Sequence, residues 1–68
     1  MINVMLVDDN IELLENMQLI LTYQGKMNIV GKAIDGKDAL QQLEQVEPDI
    51  ILLDLNMKGM GGIEVIHI

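Results

Sequence analysis

The sequence contains no cysteine, tryptophan, phenylalanine or arginine, and only one proline and one tyrosine in 68 residues. Without cysteine there is no disulfide framework, no thiolate nucleophile and no Cys-type zinc site. The basic side chains are Lys26, Lys32, Lys37 and Lys58 alone, set against 11 acids for a formal net charge of −7. Phosphate backbones and anionic membrane surfaces repel such a chain, so this segment is not expected to touch nucleic acid or lipid headgroups. Long apolar runs are missing too. Val4-Met5-Leu6-Val7 and Ile50-Ile51-Leu52-Leu53 fall far short of a bilayer span, and Met1-Ile2-Asn3 lacks the basic start of a signal peptide. Half of the residues are nevertheless hydrophobic (50%), which excludes a disordered acidic tail. The expectation is a soluble, cytoplasmic α/β domain or part of one, because 68 residues hold at most one small domain.

Apolar and polar segments alternate. Val4-Met5-Leu6-Val7, ending in Asp8-Asp9-Asn10, reads as a strand buried on both faces. A helix follows, with Leu13, Leu14, Met17, Ile20 and Leu21 as its apolar face, capping-box spacing at Asp9 and Glu12, and Gly25 as C-terminal cap. Residues 28–33 form a second, more polar strand suited to a sheet edge. Asp35-Gly36 opens a second helix whose buried side is expected to be Ala39, Leu40, Leu43 and Val46, and Pro48 stops it. Ile50-Ile51-Leu52-Leu53 is the third and most hydrophobic strand, ended by Asp54. After the glycine-rich stretch Lys58-Gly59-Met60-Gly61-Gly62, Ile63-Glu64-Val65-Ile66 reads as the start of a third helix. This βαβαβα order with short connections implies parallel strands and right-handed crossovers. A bare apolar third strand at a sheet edge invites association. The chain therefore reads as the N-terminal part of a domain, and two copies are expected to associate through that strand or by exchanging elements.

In open parallel sheets, sites form at the carboxyl ends of the strands, where the winding direction reverses. If the first and third strands are neighbours, Asp8 and Asp9 meet Asp54. Two carboxylates about 4 Å apart repel by roughly 4 kcal/mol at an effective dielectric near 20. Such a cluster keeps a proton or binds a hard cation, and Mg²⁺ suits it, since it takes one or two carboxylates and fills its octahedron with water and phosphate oxygens. Taken singly, each acid is a helix cap or a turn residue. Jointly they are costly unless something uses the charge, because one residue suffices to cap.

Leu6-Val7-Asp8-Asp9-Asn10, the run Pro48-Asp49-Ile50-Ile51-Leu52-Leu53-Asp54-Leu55-Asn56-Met57, Gly62 eight positions after Asp54, and Asp35-Gly36 followed by Ala39-Leu40 resemble the receiver domain of bacterial two-component response regulators. The resemblance covers essentially the whole chain. It implies a flavodoxin-like (CheY-like) doubly wound α/β domain with a parallel sheet of order 2-1-3, of which residues 1–68 are the N-terminal portion. It also implies that Asp54 accepts a phosphoryl group from a sensor histidine kinase. Mg²⁺ would be held by Asp8, Asp9, Asp54 and the backbone carbonyl of Asn56, with Asp9 the more direct ligand of the acidic pair. A carboxylate can form an aspartyl phosphate when a metal offsets the charge, and the added phosphate then biases a two-state element. The resemblance further implies an output domain beyond this segment. Val30-Gly31-Lys32-Ala33 with Asp35-Gly36 favours the class with a C-terminal helix-turn-helix that binds DNA.

The sequence departs from the family at Lys58, where a proline is usual, and at Gly61, where an acid or amide precedes the final glycine. The family's Ser/Thr after the fourth strand, Lys after the fifth strand and switch aromatic have no counterpart among these residues, so the 68-residue chain is expected to be a poor phosphoacceptor. Lys58 and His67 read as solvated, Met5, Met17 and Met57 as core packing, and Tyr23 as packing near a helix end. Gly59-Met60-Gly61-Gly62 matches neither a dinucleotide nor a Walker loop. The signalling reading, in which the segment is not an enzyme, competes with two others. A pseudo-receiver or dimerisation module would dock partners without phosphate. A phosphatase with a strand-end Asp commonly needs a second acid two residues on, where this sequence has Asn56.

Overall fold

The computed structural model describes residues 1–54 and 63–67, with the backbone alone for Asp54, Ile63, Glu64, Val65 and His67. Four strands and two helices follow in the order β1 (Ile2–Val7), α1 (Ile11–Thr22), β2 (Met27–Ala33), α2 (Gly36–Gln42), β3 (Ile50–Asp54) and β4 (Ile63–His67). The strands form one sheet in the order β2-β1-β3-β4. β1 runs parallel to both β2 and β3, which is the expected 2-1-3 arrangement with β2 at the sheet edge.

Side chains alternate along β1, and each face collects its own core. Val4 and Leu6 pack with Leu14 of α1, joined by Met17, Leu21, Met27, Ile29 and Leu52. Met5 and Val7 pack on the opposite face with Ala33 and with Ala39 of α2, joined by Leu43, Val46, Ile51 and Leu53. This explains why β1 reads as an unbroken apolar run: it is covered on both sides.

Each helix is narrower in its buried stripe than the sequence suggests. In α1, Leu14 is buried and Met17 and Leu21 half-buried, whereas Ile20 is exposed and Leu13 lies at the solvent boundary. Leu14, Met17 and Leu21 follow the 3-4 spacing of a single stripe, and the other two sit about a quarter turn away. The second stripe is Ala39 of α2 with Leu43 and Val46 of the turns that follow it, and Leu40 points to solvent. Tyr23, expected to pack, is 90% exposed just beyond α1. Asn10, rather than Asp9, caps α1, its side-chain oxygen accepting from the Leu13 N–H at 3.2 Å. Gly25 takes the left-handed conformation (φ 73°) and donates its N–H to Thr22 O, a role glycine fills without steric cost. Asp35 caps α2 by accepting from the Asp38 N–H at 2.7 Å. The helix itself closes at Gln42, well before Pro48, through turns that bring Val46 N–H to Gln42 O.

A network fastens α2 to β2. The Gln42 amide donates to Lys32 O at 2.7 Å and to Asp38 Oδ1 at 3.2 Å, while Asp38 Oδ2 accepts from the Ile34 N–H at 3.0 Å. The approach of Gln42 is close at Gly31, where a Cβ would stand 2.6 Å from its Oε1. Gly31 also follows a register shift, since Val4 pairs with Ile29 and Met5 with Gly31, leaving Val30 as the extra residue of a bulge.

The expected third helix is not formed over residues 63–67. This segment is a strand, antiparallel to β3, in five residue pairs from Asp54↔Ile63 to Ile50↔His67. Ile63, Val65 and Ile66 are β-branched and favour a pleated surface. A helix of so few residues carries an unfavourable nucleation cost, whereas the strand adds ladder bonds to an existing sheet. The sixth element of the βαβαβα reading is therefore corrected to β. The outer edge of β3, expected to be bare, is paired with residues 63–67. Asn56, Met57, Lys58, Gly59, Gly61 and Gly62 lie outside the described residues.

Candidate functional site

β2 and β3 flank β1 on opposite sides, so the chain winds one way from β1 to β2 and the other way to β3. The crevice at the carboxyl ends of β1 and β3 is thus the switch point of the sheet. Val7 and Leu53 are partners in the parallel ladder, and the next residue on each strand is an aspartate, Asp8 and Asp54. Neighbouring strands lie about 4.8 Å apart. The backbone therefore brings Asp8 and Asp54 to the same end of adjacent strands, with Asp9 following at once.

The two acids after β1 occupy different environments. Asp8 is buried, with 2% of its surface exposed. Its N–H donates to Ala33 O at 2.9 Å, extending the β1–β2 ladder by one residue, and its Oδ1 accepts from the Asn10 N–H at 3.0 Å. That second bond makes an Asx turn, which swings the chain from strand into helix. Asp9 stands on the outside of the turn and is exposed. Asn10 completes the turn as the cap of α1, so the positive end of the helix dipole is directed at the acidic pair. The run Asp8-Asp9-Asn10 thus divides three tasks: anchoring the turn, presenting a carboxylate to solvent, and starting the helix. Sequence reading missed that division, although an Asp two residues before an Asn cap is its signature.

Among the described residues no group of three His, Asp or Glu side chains is gathered to hold a metal, and the acid expected to be the third, Asp54, is described by its backbone. The described donors are two carboxylates of unequal exposure, hard oxygen ligands of the kind Mg²⁺ takes in ones and twos. At the opposite end of the sheet, Asp49 is a structural acid. Its Oδ2 accepts from the Asn3 N–H at 2.8 Å and its own N–H donates to Asn3 O at 2.7 Å, which locks the entry of β3 against β1. Among the described residues no helix is long and apolar enough to cross a membrane.

Comparison with known proteins gives a consistent set of relatives. The family profile described as "Response regulator receiver domain" matches residues 4–68. The transcriptional regulatory protein YdfI of Bacillus subtilis is 40% identical over 63 residues, covering 93% of this chain and 30% of that protein. The nitrate/nitrite response regulator protein NarL of Escherichia coli is 35% identical over 63 residues, 93% of this chain and 29% of its own length. A protein-glutamate methylesterase/protein-glutamine glutaminase of Treponema denticola is 42% identical over 66 residues, 97% of this chain and 18% of that enzyme. The chain thus spans less than a third of the length of these curated relatives. No solved structure gives a significant match.

Proposed function

The chain belongs to the response regulator receiver domain family, and from that premise we propose that it accepts a phosphoryl group on Asp54 from a sensor histidine kinase. The observation supporting this reading is the ladder partnership of Val7 with Leu53, because it sets Asp54 beside the acidic pair at the switch point of the sheet. A carboxylate oxygen of Asp54 would form the new O–P bond as the P–N bond of the phosphohistidine breaks, and the imidazole would leave with the electron pair. Such transfer depends mainly on positioning and electrostatics, so few protein groups are required.

Asp8, Asp9, Asp54 and the Asn56 carbonyl are the groups we assign to Mg²⁺. When bound, the metal would supply charge compensation for the phosphoryl oxygens. Asp8, held by its turn bond and its bond to β2, fixes the position of the acidic pair. Asp9, open to solvent, is the group free to meet an incoming ion or phosphate. The two roles need different environments, and the burial of Asp8 beside the exposure of Asp9 supports this division.

The relatives named as transcriptional regulators support a signalling role in the cytoplasm, in which phosphorylation controls a DNA-binding output domain. The methylesterase relative carries the same kind of segment beside an enzyme, so the receiver itself does not dictate the output. Intact-mass spectrometry after incubation with acetyl phosphate and Mg²⁺ tests the acceptor. A single phosphoryl adduct on the wild-type chain, absent from Asp54→Asn, is the expected result. An adduct that survives in Asp54→Asn overturns the assignment, whereas none on a wild-type chain shown to be folded by circular dichroism means that phosphorylation requires residues outside this segment.

A further inference from the structure

The carboxyl end of β2 is held from two sides. Toward β1, Ala33 O accepts the Asp8 N–H at 2.9 Å. Two side chains of α2 take the neighbouring backbone groups: the Gln42 amide donates to Lys32 O at 2.7 Å, and Asp38 Oδ2 accepts from the Ile34 N–H at 3.0 Å. The Ala33 C=O and the Ile34 N–H are opposite ends of one planar peptide unit. That unit therefore links the Asp38 carboxylate to the backbone of Asp8, whose own carboxylate accepts from the Asn10 N–H. Asp38 is itself fixed, with its N–H on the Asp35 side chain at 2.7 Å and its Oδ1 on the Gln42 amide at 3.2 Å. A helix cap alone does not account for this arrangement. In a capping box the side chain at this position returns to the N–H of the cap residue, here Asp35. Asp38 instead reaches one residue further back, to the exit of the strand. Gly31 leaves the space through which Gln42 arrives, since a Cβ there would stand 2.6 Å from its Oε1.

We propose that Asp38 is a positioning residue for the phosphoacceptor site: with Gln42 it pins the peptide units on either side of Ala33, and through Ala33 O it sets the acidic pair Asp8 and Asp9. The inference rests on the receiver reading above for what that pair binds. A peptide N–H bonded to a carboxylate is polarised, which strengthens the carbonyl of the same unit as an acceptor, by about 10–30% per bond in chains of this kind. Asp8 is buried and its carboxylate is engaged in the turn, so a shift of its backbone passes directly to Asp9 and to the start of α1. α2 thus supports the acidic pair through β2, without any of its side chains being assigned to the metal.

Amide NMR of the full chain, with hydrogen exchange and a Mg²⁺ titration, tests this on Asp38→Ala, Asp38→Asn and Gln42→Ala. In Asp38→Ala the Asp8 amide proton should move upfield and exchange about 2–10-fold faster, as expected for the loss of one hydrogen bond. The amides of Val4 and Leu21, in the core on the other face, should hold their rates. Mg²⁺, followed at the Asp9 amide, should bind about threefold more weakly, less than the about 10–100-fold lost when a direct partner of a metal ligand is removed. Gln42→Ala should give a smaller change of the same sign, because Asp38 keeps the Ile34 N–H. Asp38→Asn keeps an oxygen for that N–H and loses the charge, and it should fall between wild type and Asp38→Ala in both readings. An Asp8 amide unmoved by Asp38→Ala overturns the proposal, as does equal acceleration at Val4 and Leu21, which marks a merely structural role. An Asn variant that leaves the Asp8 amide unmoved yet binds Mg²⁺ as weakly as the Ala variant places the effect in charge and overturns it too. If Asp38→Ala does not fold, Gln42→Ala decides by the same comparison. A wild type whose Asp8 and Asp9 amides ignore Mg²⁺ refutes the metal reading itself, and the proposal with it, before any variant is compared.

Discussion

Gly31→Ala is the substitution whose effect the structure determines most sharply, because its sign depends on a second residue. A Cβ at position 31 would meet Gln42 Oε1 at 2.6 Å and Met5 Cε at 3.2 Å. The Met5 methyl ends a flexible side chain and can give by a few tenths of an ångström. The Gln42 amide can move only by abandoning its bonds to Lys32 O and Asp38 Oδ1. Each bond contributes about 0.5–1.5 kcal/mol net, at the lower end here because the site is largely exposed. Against this loss stands a gain of about 0.4–1 kcal/mol from restricting the unfolded chain when glycine becomes alanine. The net expectation is destabilisation by about 0.5 kcal/mol, or about 0.5 M in the urea midpoint for a chain of this size. With Gln42→Ala already in place, the clash and the bonds are both gone, and Gly31→Ala should stabilise by about 0.5 kcal/mol. The four proteins of the double-mutant cycle can be compared by urea titration followed by far-ultraviolet circular dichroism. Fluorescence is unsuited to this, since the single aromatic, Tyr23, is 90% exposed. Equal destabilisation by Gly31→Ala in both backgrounds would refute the reasoning and place the strain elsewhere, at Met5 or in the bulge.

Two further expectations concern stability. Leu14→Ala removes the one buried side chain of α1 and should cost about 2–5 kcal/mol, close to the whole stability of a domain this small, so thermal unfolding should show a collapsed or absent transition. Asp49→Ala leaves the Asn3 N–H without its carboxylate acceptor at an exposed site; it should cost about 1 kcal/mol and speed hydrogen exchange at Asn3 while leaving exchange at Leu14 to Leu21 little changed.

The elements that sequence reading placed correctly are those with a strong local cause. The doubly covered β1 announces itself by Val4-Met5-Leu6-Val7, and the alternation of strands and helices implies parallel neighbours. Gly25 is legible as a C-terminal cap and Asp35-Gly36 as a helix start, because each carries side-chain or backbone chemistry that few residues share. Leu13, Ile20 and Leu40 were assigned to buried faces because they are apolar and near the stripe, but a single sheet face admits only a narrow stripe of each helix. Residues 63–67 carry both signals at once: an apolar run after a glycine-rich stretch that suits a helix start, and β-branched residues that suit a strand. Tertiary context decided between them, since the open side of β3 offered hydrogen-bond partners. At the site, the spacing of Asp8, Asp9 and Asp54 was legible and their common sheet end follows from the register. The unequal burial of Asp8 and Asp9 was not, because it arises from a turn bond between neighbours rather than from either residue's type.

β1 sorts its side chains alternately into two cores of similar bulk, Val4 with Leu6 and Met5 with Val7. A slip of one residue would exchange the two sets and still bury apolar groups on both faces, so packing by itself discriminates poorly between alignments. The discrimination comes from the polar residues at the strand's two ends. Asn3 is keyed to Asp49 at one end, and Asp8 is keyed to Ala33 and Asn10 at the other. The buried Asp8 carboxylate thus marks where the apolar strand ends, since a slip of the strand would carry it into the core. Replacing Asp8 removes a turn bond and a charge together, whereas replacing the exposed Asp9 removes a charge alone.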